Sequence, residues 1–172
     1  MKKLLVVVDM QNDFINAALG TKEAVSIVPF VVNEIRTGAY DKVIATMDTH
    51  EKNYMETLEG HYLPVPHCIR GTEGWKIAPS VEEALNAVQA EIIEKPTFGS
   101  YALAERVFRL APEEIVIVGL CTDICVISNA LLLRAGMYQT KITVLADGCA
   151  ATTPAKHIEA LHIMESCQIE VK

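Results

Sequence analysis

Chemically capable residues recur at one kind of place in this sequence, the end of an apolar run. Asp9 follows Leu4–Val8, Asp48 and His50 follow Val43–Met47, Lys95 follows Glu91–Glu94, Cys121 and Cys125 follow the run through Leu120, and Asp147 follows Lys141–Ala146. A thiol can attack a carbonyl carbon, a carboxylate can take or relay the thiol proton, and a lysine favours the thiolate by its charge. Cys125 with Asp9 and Lys95 is therefore a candidate nucleophile with its activators. The competing description is a structural ion pair beside an inert, buried cysteine. Asp48-x-His50, joined by His61 or His67 from the stretch that follows, supplies one carboxylate and two imidazoles. That set leaves coordination positions open for water or substrate, as catalytic metal sites do.

Residues so far apart in sequence meet only if the elements before them share a direction. The β-branched run Ile115–Val118 reads as a fully buried strand, with Ile127, Ala130, Leu131 and Arg134 continuing at helical spacing. Strands are expected at Leu4–Val8, Val43–Met47, Glu91–Glu94, Ile115–Val118, Lys141–Ala146 and Cys167–Val171. Between them lie a helix with Val28, Val31, Val32 and Ile35 on one face and Pro29 in its first turn, a short helix opened by a Ser80–Glu83 capping box, and helices through Leu103–Leu110, Ile127–Arg134 and Thr153-Pro154 to Leu161. Alternation at this rhythm predicts an α/β protein of three layers, a mostly parallel sheet with helices on both faces. The carboxyl ends of the strands then form one edge, where open α/β sheets bind ligands. From Glu51 to Trp75 the periodicity disappears, and a loop this long inside a compact domain is usually functional.

Composition narrows the partners. With 172 residues, 51% hydrophobic and 22% charged, the chain is expected to form a single domain over 1–172, with a site loop at about 49–78. The net charge of −7 and the lack of a basic cluster argue against nucleic acid. Met1-Lys2-Lys3 before Leu4–Val8 reads as the entry to a core strand rather than a secretory signal, and no segment is suited to a membrane. Five cysteines without paired zinc-knuckle or Cys-x-x-Cys spacing point to reduced thiols and a cytoplasmic location. A small molecule is the expected partner.

The motifs Asp9-Met10-Gln11-Asn12-Asp13-Phe14, Asp48-Thr49-His50, Pro66–Gly74, Lys95–Ser100 and Gly119–Val126, in this order, resemble those of the isochorismatase-like cysteine hydrolases, and within them the nicotinamidases. The resemblance implies a triad of Asp9, Lys95 and Cys125, a cis Leu120–Cys121 peptide, and an oxyanion hole made by the backbone N–H groups of Cys121 and Cys125. It also implies one divalent metal on Asp48, His50 and His67, zinc first with iron or manganese as alternatives, holding the pyridine nitrogen of nicotinamide. Phe14, Trp75, Phe98, Tyr101 and Leu120 are candidate pocket walls. The activity so implied is hydrolysis of a small carboxamide, nicotinamide first, through a thioester, in a homo-oligomer. The alternatives are another amide or ureido hydrolase, an isochorismatase, or a redox-sensing or binding domain.

Overall fold

A computed structural model describes residues 1–172. Six strands form one parallel sheet, β1 (Lys3–Val8), β2 (Lys42–Asp48), β3 (Glu91–Lys95), β4 (Glu114–Leu120), β5 (Lys141–Ala150) and β6 (Glu170–Val171), in the order β3-β2-β1-β4-β5-β6. The pleat sorts the central strand between two cores. Leu5 and Val7 of β1 face Ile27, Val31 and Ile35 of α2 (Lys22–Thr37) and Val81 and Leu85 of α4 (Pro79–Ala87). Leu4, Val6 and Val8 face Leu103 and Val107 of α5 (Tyr101–Leu110), Leu133 of α6 (Ile127–Gly136) and Met164 of α7 (Pro154–Ser166). Helices cover both faces, so the architecture is three-layer α/β/α and the central strands are apolar at successive positions rather than alternating.

Several boundaries differ from the sequence expectation. Pro29 lies inside α2, because Thr21 caps the helix by accepting the Ala24 N–H at 3.0 Å and so starts it at Lys22, seven residues before the proline. Ser80 does not cap α4; Ala78 is the N-cap, Pro79 takes the first turn, and no side chain closes the end. The region after β2 carries a 3-10 turn, Tyr54–Glu56, and a short α3, Leu58–Tyr62, in addition to loop; α1 (Asn12–Ile15) is a single turn. Strand β5 runs past Asp147 to Ala150 across a register shift opposite Ile117–Gly119, which leaves Asp147 exposed within the strand and outside the strand-end group. The final strand is only Glu170–Val171, and Cys167 caps α7 instead.

The strand ends that matter are drawn together by local backbone. Gly119 has φ +123°, and a Cβ there would overlap the Val8 carbonyl oxygen, so only glycine lets β4 pass β1 this closely. Asp9 follows with φ +49°, a left-handed conformation uncommon outside glycine. Its N–H is held by the Thr46 carbonyl at 3.2 Å, and its own carbonyl accepts from the Gln11 N–H at 2.8 Å. The Leu120–Cys121 peptide is cis.

Candidate active site and metal centre

Lys95, the last residue of β3, stands opposite Asp48 in the β2–β3 register and is buried. Its ammonium lies 2.6 Å from Asp9 Oδ2 and 3.3 Å from Asp48 Oδ1, and donates to the Thr97 carbonyl at 2.9 Å and to Cys125 Sγ at 3.5 Å. Asp9 Oδ1 accepts from the Thr46 hydroxyl at 2.6 Å. Asp9, Lys95 and Cys125, spaced over most of the chain, therefore meet in one water-poor cluster. A buried lysine is tolerable there because carboxylates flank it.

Burial works against the thiolate that a nearby lysine favours. Burial pushes the Cys125 thiol well above its ordinary value, and the charge of Asp9 adds to that, against the opposing pull of Lys95. Burial also raises the Asp9 carboxyl, against Lys95. Both shifts favour the protonated forms, and Asp9, which shares the Lys95 ammonium with Sγ, is the carboxylate placed to accept the thiol proton.

Cys125 sits in a π-helical turn, Thr122–Val126, that precedes α6. The Cys121 carbonyl accepts from the N–H groups of both Ile124 and Val126 at 3.0 Å, which fixes the turn. Such π turns gather at functional sites. The Cys121 N–H has no acceptor within the protein, which leaves a backbone donor free at the cavity that Cys121 and Cys125 both line.

Beside the triad, Asp48, His50, Glu59 and His67 bring one donor atom each within 4.8 Å of one another. His50 Nε2 is 3.0 Å from Asp48 Oδ2 and 3.6 Å from Glu59 Oε1; His67 Nε2 is 3.6 and 3.5 Å from the same two oxygens. Four donors bonded at 2.0–2.1 Å around a tetrahedral ion would stand about 3.3–3.4 Å apart. Two carboxylates and two imidazoles at these separations suit a divalent cation. The electrostatics agree. Burial works against charging His67, yet hydrogen bonds to Asp48 and Glu59 push its pKa up to about 10, so the cluster draws in positive charge. Because a carbonyl only accepts, the 2.8 Å contact of His67 Nδ1 with the Val65 carbonyl puts the proton on Nδ1 and turns Nε2 toward the cluster. His61, the other histidine of this region, is exposed and outside it.

The first motif holds this arrangement. Gln11 donates to the carbonyls of Asp48 and Trp75, each at 2.8 Å, and accepts from the Asp48 N–H at 2.7 Å. Asp13 accepts from the Cys68 N–H at 2.8 Å, and the His50 N–H donates to the Cys68 carbonyl at 2.9 Å, so His67 arrives next to His50. Tyr54 packs edge-on against both imidazoles, 4.9 and 5.1 Å between centroids.

A cavity of about 420 Å³ is lined by members of both groups, Cys125 with Cys121 and Asp48, Glu59 and His67, and has Phe14 and Phe98 among its walls. Three of the expected wall residues are elsewhere. Trp75 lies outside the lining, its indole N–H donating to Thr49 Oγ1 at 2.9 Å; Tyr101, at the start of α5, is 84% exposed; and Leu120 is packed in the core. Glu59, Leu63, Ile124 and Lys156, which the sequence did not single out, take those places. Nothing in spacing or periodicity marks Glu59. Only the short α3, capped by Thr57 through the Gly60 N–H at 3.0 Å, brings it back over His50.

The isochorismatase-domain family model matches residues 3–171, and the chain belongs to the isochorismatase family. Among its relatives, the nicotinamidase/pyrazinamidase of Mycobacterium tuberculosis is 26% identical over 186 residues, covering 98% of this chain and 97% of that protein. The crystal structure of a nicotinamidase/pyrazinamidase from Bacillus subtilis superposes with a TM-score of 0.86 at 25% identity, covering 99% of both chains. A pyrazinamidase of Pyrococcus horikoshii in complex with zinc superposes with a TM-score of 0.80 at 29% identity, over 100% of this chain and 99% of that one.

Proposed function

We propose that this chain is a metal-assisted cysteine amidohydrolase that converts nicotinamide to nicotinate and ammonia. The observation that carries the proposal is the shared cavity, lined by Cys125 of the Asp9–Lys95–Cys125 cluster and by Asp48, Glu59 and His67 of the four-donor group. The names of the relatives supply the substrate class, and the zinc complex of one of them makes zinc the first choice of ion. A divalent metal held by Asp48, His50, Glu59 and His67 would supply a coordination point for a ring nitrogen. Phe14 and Phe98 offer apolar walls for a flat ring.

The chain's own residues account for the bond chemistry. Asp9 takes the thiol proton as Cys125 Sγ attacks the carboxamide carbon. The carbonyl oxygen becomes an oxyanion, and the backbone N–H groups of Cys121 and Cys125 donate to it. Collapse of the tetrahedral adduct breaks the C–N bond, Asp9 returns its proton to the leaving nitrogen, and ammonia departs from a thioester. Water then attacks the thioester with Asp9 accepting a proton. Expulsion of Sγ, reprotonated by Asp9, frees the carboxylic acid. Lys95 stays protonated throughout and holds Asp9 and Sγ together; burial opposes its charge, but Asp9, Cys125 and Asp48 outweigh that and raise its pKa.

The test is ammonia release from purified protein across nicotinamide, pyrazinamide, a ureido acid and several aliphatic amides, with and without chelator. Turnover of nicotinamide that stops on chelation and returns with added metal supports the proposal. Exclusive turnover of another compound replaces the substrate, and silence across the panel by metal-loaded protein overturns the activity.

A further inference from the structure

An asparagine in the first turn of α6 has no place in the chemistry above, yet every strong contact it makes reaches a catalytic segment. Asn129 is fully buried. Its Nδ2 donates to the Cys125 carbonyl at 2.8 Å and to the Phe98 carbonyl at 3.1 Å, and its Oδ1 accepts from the Ser100 N–H at 2.9 Å. Both amide donors are thus spent, on two different segments. One is the π turn that carries the nucleophile. The other is the connection from β3 to α5, which begins at Lys95, receives the lysine's own hydrogen bond at the Thr97 carbonyl, and places Phe98 in the cavity wall.

Asparagine is a poor helix former, and its burial requires partners for every polar atom, so helix stability alone does not account for it. The geometry points to Asn129 as a positioning residue: it sets the separation between Cys125 and the Lys95 segment, and with it the 3.5 Å contact of the ammonium with Sγ. No other side chain hydrogen-bonds to both the Cys125 turn and the Phe98–Ser100 backbone. The inference rests on the proposed triad but not on the choice of substrate.

Asn129→Thr separates bridging from folding. A helical threonine returns its hydroxyl to the carbonyl four residues back, here that of Cys125, and has no second donor for Phe98 nor an amide oxygen for Ser100. Two readouts are compared with the unaltered chain: kcat and KM for whichever carboxamide is hydrolysed, and the rate of iodoacetamide alkylation at Cys125, located by peptide mass spectrometry. We expect kcat to fall ~10- to 100-fold with KM held within about threefold, since a misplacement of an ångström costs on that order. Alkylation of Cys125 should slow at least about fivefold, because the thiolate that forms in that reaction loses the Lys95 cation. A kcat and an alkylation rate both within twofold of the unaltered chain overturn the inference, as does a fall in kcat with unchanged alkylation. If no carboxamide is hydrolysed, the functional proposal fails by itself and alkylation alone decides the role of Asn129. If the variant does not fold, amide hydrogen exchange in the unaltered chain decides: protection of the Ser100 N–H equal to that of the α5 core supports the bridge, and exchange at the rate of an open loop overturns it.

Discussion

A neutral thiol next to a carboxylate has consequences that a preformed thiolate would not. Cys125 gains nucleophilicity only when Asp9 is free to accept its proton, so turnover depends on Asp9 being ionised. Burial lifts the Asp9 carboxyl above its ordinary value, and as pH falls through that raised value the base is lost. The acid limb of kcat/KM should therefore lie above the ordinary aspartate pKa of about 3.9. In Asp9→Asn the rate should fall by about 10²-fold or more and the limb should vanish; an acid limb below that value, or an Asn variant within tenfold, would remove Asp9 from the role of base. Cys125→Ala should lose turnover altogether with its melting temperature nearly intact, measured by scanning calorimetry. Glu59 is open to an equally direct check at this scale. Metal content by atomic spectrometry should drop in Glu59→Ala and His67→Ala after dialysis and stay at the parent value in His61→Ala, whose side chain is exposed outside the cluster. Equal retention in all three would refute the donor set.

Elements explain which of these residues a sequence could disclose. Strand ends were legible because a parallel sheet makes the residue after each apolar run a neighbour of the others; Asp9, Asp48, Lys95 and Cys125 obeyed that rule. Asp147 did not, because the register shift opposite Gly119 lengthens β5 by three residues, and a bulge leaves no mark in hydropathy. The cavity walls were illegible for a different reason: residue type does not encode direction. Trp75 spends its indole N–H on Thr49, and Tyr101, the first residue of α5, stands exposed to solvent. The π turn was hidden too, since the helical spacing of Ile127, Ala130 and Leu131 marks only α6, which follows it. At the sheet edge, β3 is tied to its neighbours by charge. Glu91 pairs with Lys42 at 2.9 Å and with Arg106 of α5 at 2.8 Å, and hydrogen bonds from Arg106 first, then Lys42, lower its pKa to about 2. A carboxylate depressed in the fold stabilises it above the unfolded pKa, near 4.5, and ceases to do so as pH falls through about 2. Being partly exposed, the group contributes only ~1 kcal/mol. Glu91→Gln should thus be less stable than the parent at pH 7 by urea unfolding, with the gap closing between pH 4.5 and 2. A gap that persists at pH 2 would mean packing, not charge, holds that edge.

Across the whole molecule, the four-donor group ties the region after β2 to the sheet. Asp48 ends β2, His50 follows it, and Glu59 and His67 come from the turns between there and Cys68, so an ion on these donors would cross-link segments that the backbone leaves separate. Protein contacts hold part of the same region without it: Asp13 grips the Cys68 N–H, Gln11 grips Asp48 and Trp75, and the backbones of His50 and Ile69 form a short bridge. Metal removal should then lower stability without unfolding the sheet. A ligand present at a hundred times its dissociation constant stabilises the fold by about 2.7 kcal/mol. For a chain of this size each kcal/mol moves the melting temperature by roughly 2–4 °C, so chelation should lower it by roughly 5–10 °C while far-ultraviolet dichroism stays unchanged. The control is internal to the site. His67→Ala should begin near the chelated value and show no further response to chelator, because the ion's contribution is already gone. A parent protein of confirmed metal content whose melting temperature ignores chelation would show that the segment is held by its protein contacts, Asp13, Gln11 and the His50–Ile69 bridge, and that the ion serves only the substrate.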